Sequence, residues 1–224
     1  MKKNYIKIIY VLIAVAAVNF AVIMSLIPSL PAEIPVHFNY RFEVDRMGTP
    51  WFMAVFPSVT LLFTIAMAVE QKLRGRDYAN NKPLTIFAVA FVVFFIALGW
   101  VMYAMCGTGA QLGDKTSIPL DMIMGLGFSG LFIVMGNYLP TVKPNRTFGI
   151  RVPATFRNEE VWRKTHRFAG HAYVLGGFFS GVCALTGYFT GVSWLMFAGL
   201  MVGVFGSSIV ILIYSKRVEK QLRS

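Results

Sequence analysis

Six long apolar blocks restrict the fold of this sequence more than any other feature. Each block runs for about 20 residues with few charged residues, which is the length that an α-helix needs to cross a hydrocarbon core of ~30 Å. A segment in hydrocarbon must pair its own backbone amides, so such blocks form helices. The predicted spans are residues 8–27, 51–69, 84–105, 118–139, 169–188 and 194–214.

The composition excludes an ordinary soluble domain. Hydrophobic residues make up 56% of the chain and charged residues only 14%, whereas about a quarter of a soluble domain is charged. The sequence therefore predicts an all-α, polytopic membrane protein with six transmembrane helices. The first block is too long for a signal peptide, so we expect it to remain as a helix. Glycine pairs at 177/181, 187/191 and 199/203 predict close approach of helices.

Basic residues fall mainly in alternate connections. Of the 21 Lys and Arg residues, 18 lie in the amino-terminal tail, at 70–83, at 140–168 and after Ser215. Cytoplasmic connections carry the excess of Lys and Arg. We therefore expect a cell-membrane protein with both termini in the cytoplasm and with the connections 28–50 and 106–117 facing outward. The net charge of +11 then follows from topology and does not indicate nucleic-acid binding.

The first outward connection holds a cluster of polar residues. Pro31 and Pro35 make its start extended, and His37, Asn39 and Asp45 follow within nine residues. One interpretation is an extracellular binding site for a ligand. The other is a compact loop in which His37 and Asn39 bond to backbone groups, as Asn does in turns. One His with one or two carboxylates does not complete a metal ligand set, so no metal is expected.

The connection at 140–168 has the composition of an ordered loop. It contains two Asn, three Pro and a Gly-Ile-Arg turn, and polar residues with specific geometry at a membrane edge indicate a functional site. Asn158 suits the N-cap of the next helix, with Glu159 and Glu160 at its positive end. The alternative is a basic loop that meets lipid phosphates while Trp162 anchors the helix at the interface.

Both connections carry the motifs of a known family. The SdpI family signature resembles residues 136–140, 143–145, 149–153 and 160–167. Residues 34–39 with Asp45 resemble the domain of unknown function that precedes this signature in longer members. The sequence departs from the pattern at Phe42, where the family has Gly, and at Ala154, where it has Trp. Since Gly serves there for positive φ, the first departure bears on the turn geometry and the second on anchoring at the interface.

The resemblance implies a bacterial immunity protein and membrane sensor without enzymatic activity or a cofactor. The family's namesake confers immunity to a secreted toxin, and its proposed signalling route holds a cytoplasmic autorepressor at the membrane. The resemblance thus implies that His37, Asn39 and Asp45 meet a secreted toxic peptide. The residues that it implies for signalling or for docking a transcriptional repressor are Asn137, Pro140, Lys143, Asn145, Gly149, Arg151, Thr155, Glu160, Trp162, Thr165, His166 and Arg167.

The same resemblance predicts two regions and leaves two other functions to weigh. Residues 1–69 would form a helix hairpin with the outer loop, and residues 70–224 would form a four-helix region with the cytoplasmic loop 140–168.

A small transporter or flippase for lipid or peptide is the main alternative function. Only Asp121 and Asn19 place polar groups near a span interior, whereas transporters carry a path of polar residues there. A membrane enzyme is the least favoured, because the sequence contains no visible nucleophile and base pair. The oligomeric state stays open.

Overall fold

The computed structural model describes residues 5–74, 79–111, 113, 118–145 and 147–222. Within these residues, six helices are long and apolar enough to cross a membrane. They are Tyr5–Ser29, Pro50–Arg74, Asn81–Cys106, Leu120–Thr141, Glu159–Thr190 and Trp194–Gln221. The prediction of an all-α polytopic fold with six spans is confirmed. Several helices extend past the predicted apolar blocks, because polar residues at the membrane surface continue them.

Each span is built from one or more helical elements. The long helices are α1 (Tyr5–Leu26), α2 (Val55–Arg74), α3 (Asn81–Cys106), α4 (Leu120–Tyr138) and α6 (Glu159–Thr190). A short helix, α5 (Pro153–Arg157), precedes α6, and the last span consists of α7 (Trp194–Leu200), a π-helical turn (Met201–Gly206) and α8 (Ser207–Gln221). Turns of 3-10 helix lie at Ile27–Ser29, Pro50–Ala54 and Leu139–Thr141. Successive spans therefore run in alternating directions through one bundle.

A β-hairpin fills the connection between the first two spans. Its antiparallel strands are β1 (Ile34–Phe38) and β2 (Val44–Gly48), with Ile34 opposite Gly48 and Phe38 opposite Val44. The connection from α3 to α4 joins it, because the Gly113 N–H donates to the Val44 carbonyl over 2.8 Å. The sequence predicted an extended start to this connection but not the pairing of two strands. We call this end of the bundle the hairpin end, and the end that carries residues 139–158 the loop end.

Glycines allow the closest helix contacts. The largest helix–helix contact joins α4 and α6, where a Cβ on Gly177 or Gly181 would press against Ser129. A Cβ on Gly203 would likewise press against the Gly176 carbonyl, and one on Gly199 against Cys183. Close packing is therefore confirmed for the pairs 177/181 and 199/203. The prediction is wrong for Gly191, which has a φ of 72°, ends α6 and has no atom near its missing Cβ.

The orientation of the bundle stays a prediction, since the structure contains no membrane. The hairpin end and the loop end lie on opposite sides of the bundle, as the assignment of connections to two faces requires. Several basic residues counted for orientation lie outside the described residues, namely Lys2, Lys3, Arg76, Lys115, Arg146 and Arg223. The buried hydrophobic residues form separate clusters at the two ends. Ile23, Ile34 and Leu98 belong to the first cluster, and Leu139 and Trp162 belong to the second.

Candidate functional site

Asn39 forms the turn of the β-hairpin. Its Oδ1 accepts hydrogen bonds from the backbone N–H of Arg41 (2.8 Å) and of Glu43 (3.1 Å), and its Nδ2 donates to the Glu43 carboxylate over 2.9 Å. Its own N–H donates to the Glu43 carbonyl over 3.0 Å. The backbone-bonding interpretation therefore describes Asn39, whose polar atoms hold the turn that presents the rest of the hairpin.

Phe42 occupies the position in this turn where the family has Gly. Its φ is 59°, and among the described residues it is the non-glycine residue with positive φ. A side chain in this region costs roughly 1–2 kcal/mol. The bonds of Asn39 and the packing of the Phe42 ring against the cluster at the hairpin end compensate for that strain. The departure thus keeps the turn geometry that Gly would permit.

His37 and Asp45 face each other across the two strands. The His37 Nδ1 lies 2.6 Å from the Asp45 Oδ1, and the two side chains are 55% and 40% exposed. An exposed pair of this kind contributes less than about 1 kcal/mol to stability. The sequence placed both residues in a candidate binding site. The structure brings them into contact on an accessible surface, where a ligand can compete for either group.

An apolar cavity, here called the hairpin chamber, lies beneath strand β1. Its volume is about 540 Å³. Its walls include Phe38 from the hairpin, Leu98 and Met102 from α3, Met124 from α4 and Phe197 from α7, and the polar residues His37 and Asn39 also line it. A smaller space of about 480 Å³ adjoins it, between Tyr40, Arg41, Trp194 and Phe197. Sequence reasoning missed the chamber, because apolar residues within predicted spans look alike whether they face lipid or a cavity.

Asn145 organises the segment that follows α4 at the loop end. Its Oδ1 accepts from the backbone N–H of Thr147 (2.8 Å) and of Phe148 (2.7 Å). Its Nδ2 donates to the carbonyls of Lys143 (2.8 Å) and Phe148 (2.9 Å). One side chain thus makes four bonds to the backbone within six residues. The prediction that this connection is an ordered loop is borne out by these contacts.

His166 joins α6 to the same segment. Its Nε2 accepts the Ile150 N–H over 3.0 Å, and its Nδ1 lies 2.9 Å from the Trp162 carbonyl, to which it donates. Since a backbone N–H can only donate, the ring carries its hydrogen on Nδ1. Gly149 passes directly beneath the ring with a φ of 113°, and a Cβ there would collide with Nε2. His166 is fully buried, so it shapes the loop and does not present a surface.

Trp162 is a buried hydrogen-bond donor. Its ring is 2% exposed, it stacks on His166 with 4.0 Å between ring centroids, and its Nε1–H donates to the Val142 carbonyl over 2.8 Å. The interpretation of Trp162 as an anchor at the membrane interface is therefore wrong. Ala154 is also buried, beside Val161 and Val218. The second departure from the family pattern thus alters packing inside the protein.

Thr155 and Asn158 connect the loop to α6. The Thr155 Oγ1 donates to the Ile150 carbonyl over 2.8 Å and accepts the Val152 N–H at 3.1 Å. Asn158 caps α6 by accepting the N–H groups of Glu160 and Val161, which confirms its predicted role. Glu160 also pairs with Lys164 at 2.9 Å. These contacts set the direction in which α6 enters the membrane.

Two residues that sequence reasoning missed attach the loop to the first half of the chain. Asn80 is buried, and its amide pairs with the Lys143 backbone, accepting from the N–H at 2.7 Å and donating to the carbonyl at 3.0 Å. The Glu70 carboxylate accepts from the Thr147 Oγ1 over 2.7 Å. No local pattern distinguishes either residue, because their partners lie 63 and 77 residues away along the chain.

The predicted loop-end residues divide into a buried, a half-buried and an exposed group. Thr165 belongs to the buried group, and its Oγ1 has no hydrogen-bond partner in the part of the chain that the structure describes. The exposed residues are Asn137, Pro140, Lys143, Arg151 and Arg167. These residues, and Glu160 with a side chain that is 43% exposed, can contact a partner directly. Among the described residues, no group of three or more His, Cys, Asp or Glu could hold a metal ion.

Comparison with known proteins finds family models that match two stretches of the chain. The SdpI/YfhL protein family matches residues 141–215, and the domain of unknown function DUF1648 matches residues 12–61. The chain is 27% identical over 198 residues to the immunity protein SdpI of Bacillus subtilis (strain 168), an alignment that covers 85% of this chain and 84% of that protein. No solved structure matches. The resemblance is thus confirmed: the chain carries the SdpI/YfhL family region with the loop end, preceded by the DUF1648 region with the β-hairpin.

Proposed function

We propose that this chain is an immunity protein that protects a bacterium from a secreted toxic peptide. The observation that carries the proposal is its similarity, over 85% of its length, to an immunity protein. The hairpin chamber adds a physical reason. It is a preformed, mainly apolar cavity with two polar residues in its lining, which is the usual form of a ligand site.

The hairpin chamber is the proposed site for the peptide. A peptide that damages membranes carries an apolar face, and burying one of its large apolar side chains would contribute roughly 1.5–3 kcal/mol. His37, which lines the chamber, and its partner Asp45 offer a hydrogen-bonding pair. Under the predicted orientation, the chamber faces the cell exterior, where a secreted peptide arrives.

The loop end is the proposed signalling surface. Residues 70–224 would transmit the state of the outer site to a cytoplasmic repressor, which would meet the exposed side chains of Lys143 and Arg151. The bonds from Glu70 and Asn80 to the loop connect it to the ends of α2 and α3. Both helices reach the hairpin end, so a shift of either helix at the chamber would also move the loop's attachments.

Survival of a sensitive bacterium that expresses the protein tests the immunity function. Wild-type protein should protect the cells against a secreted toxic peptide. Phe197→Ala, which removes a wall of the hairpin chamber, should reduce protection, and Phe189→Ala should not, because Phe189 is 79% exposed on α6. Immunoblots of the membrane fraction establish equal amounts of each variant. Absence of protection by wild-type protein at normal membrane levels would contradict the proposal and favour the transporter alternative.

A reporter gene under control of the candidate repressor tests the signalling part separately. Arg151→Ala should weaken reporter induction by the peptide while survival stays normal, because Arg151 is exposed at the loop end. His37→Ala should weaken both readouts, because it alters the outer site. If induction in Arg151→Ala and in Lys143→Ala equals that of the wild type, the loop end does not carry the signal through these residues.

A further inference from the structure

A groove opens on the side of the bundle where α4 ends and α6 enters the membrane. Its volume is about 330 Å³, and its lining includes Asn137, Pro140, His171, Val174 and Leu175. Its floor is backbone, because a Cβ added to Gly136 would lie 2.7 Å from the Gly170 carbonyl oxygen, and one added to Gly170 would lie 2.8 Å from that of Gly136. This α4/α6 groove is therefore a rigid feature with a defined shape.

Two polar residues in the α4/α6 groove have no partner among the described residues. Asn137 and His171 are both exposed, and neither side chain makes a hydrogen bond or ion pair with any residue that the structure describes. The loop-end asparagines Asn145 and Asn158, by contrast, are bonded to backbone groups. Polar groups at membrane depth are costly without partners and indicate a functional site. A ligand with hydrogen-bond acceptors would satisfy both residues.

The length of α6 places the groove at the boundary between lipid headgroups and acyl chains. With 32 residues, α6 is about 48 Å long, whereas the hydrocarbon core is ~30 Å thick. Asp, Glu, Lys and Arg occur in α6 only between Glu159 and Arg167, and the stretch from Phe168 to Thr190 contains none. This stretch spans about 34 Å, so it matches the hydrocarbon. His171 lies about 5 Å inside its start.

A basic stripe leads from the loop end to the groove. Lys164, Arg167, His171 and Leu175 follow one another at spacings of three or four residues, so they share one face of α6. Lys164 pairs with Glu160, whereas the exposed Arg167 makes no ion pair within the described part of the chain. A guanidinium binds phosphate through two parallel hydrogen bonds. The charge next to the groove therefore complements an anionic headgroup.

We propose that the α4/α6 groove binds an anionic phospholipid of the surrounding membrane. Arg167 pairs with the lipid phosphate, and the N–H groups of His171 and Asn137 donate to the phosphate and glycerol-ester oxygens. An acyl chain lies along Val174 and Leu175, one turn deeper, where Leu175 is 69% exposed. This continuation into apolar surface favours a lipid over a soluble phosphate compound. The inference is independent of the proposed immunity function.

Native mass spectrometry of the purified full-length chain tests the site. Phosphatidylglycerol and phosphatidylcholine with identical acyl chains are the probes, and we expect the protein to retain the first at least fivefold better. Arg167→Ala combined with His171→Ala should lower phosphatidylglycerol retention about tenfold, as expected for the loss of a charge-assisted hydrogen bond. Retention of phosphatidylcholine, whose phosphate charge is balanced by its own choline cation, should fall less. Thermal melting of each variant establishes that it is folded.

Arg217→Ala is the matched control. It removes one positive charge at the same end of the bundle, but from α8, none of whose described residues lines the groove. Retention by this variant should equal that of the wild type. Equal retention of the two lipids by wild-type protein, or full retention by the double variant, would overturn the site. Displacement of the lipid by an equal concentration of glycerol 3-phosphate would instead identify a soluble phosphate as the ligand and overturn the lipid assignment.

Discussion

Replacing Asn145 with Ala should release the segment that it organises at the loop end. The substitution removes two bonds that the side chain accepts and two that it donates. A neutral hydrogen bond contributes about 1 kcal/mol net, but water reaches this half-buried segment and replaces part of the loss. We therefore expect local opening of the segment to become easier by about 2 kcal/mol, which corresponds to roughly a 30-fold change in its equilibrium constant.

Hydrogen–deuterium exchange of the protein in lipid nanodiscs measures this change. The amides of Thr147 and Phe148, which donate to Asn145, should exchange about 30-fold faster in Asn145→Ala. Asn145→Asp keeps the accepting oxygen and loses the two donated bonds, so its effect on the same amides should be about fivefold. Asn39→Ala should change exchange at the hairpin end alone. Unchanged exchange of the two amides in Asn145→Ala would refute the assignment of this side chain as the organiser of the segment.

Five further substitutions test the packing by thermal unfolding in detergent. Gly191→Ala should lower the free energy of unfolding by about 1 kcal/mol, because Gly191 has a φ of 72° but no atom near its missing Cβ. Gly149→Ala should lower it by at least twice as much, because the added Cβ would also meet the buried imidazole of His166. Equal losses in the two variants would contradict that contact. Trp162→Phe should lower stability by about 1–3 kcal/mol by leaving a buried carbonyl without its donor, and an unchanged midpoint would show that water replaces the indole N–H. Gly130→Ala should be neutral or stabilising by up to ~1 kcal/mol, because its site is open and Ala favours helix. Gly176→Ala, whose Cβ would collide with backbone of the last span, should unfold at a much lower temperature, and equal behaviour of these two variants would refute the helix contact.

Features that depend on neighbouring residues in the chain could be predicted from the sequence. The six spans follow from the lengths of apolar blocks, because hydrocarbon forces each block to satisfy its own backbone. The capping of α6 by Asn158 follows from a side chain that reaches the amides two and three residues later. That the connection at 140–168 forms an ordered loop was also predictable, since Asn145 bonds only to residues close to it in sequence.

Features that depend on distant residues were decided by the tertiary structure. Asn80 bonds to a backbone 63 residues away, and the hairpin chamber joins residues from a strand and several helices. The burial of Trp162 likewise follows from contact with Val142, whereas its position before a span predicted an interface anchor. The polarity of a residue limits the environments that its side chain tolerates. Which environment it receives depends on how the helices pack, and that packing arises from contacts between segments far apart in the chain.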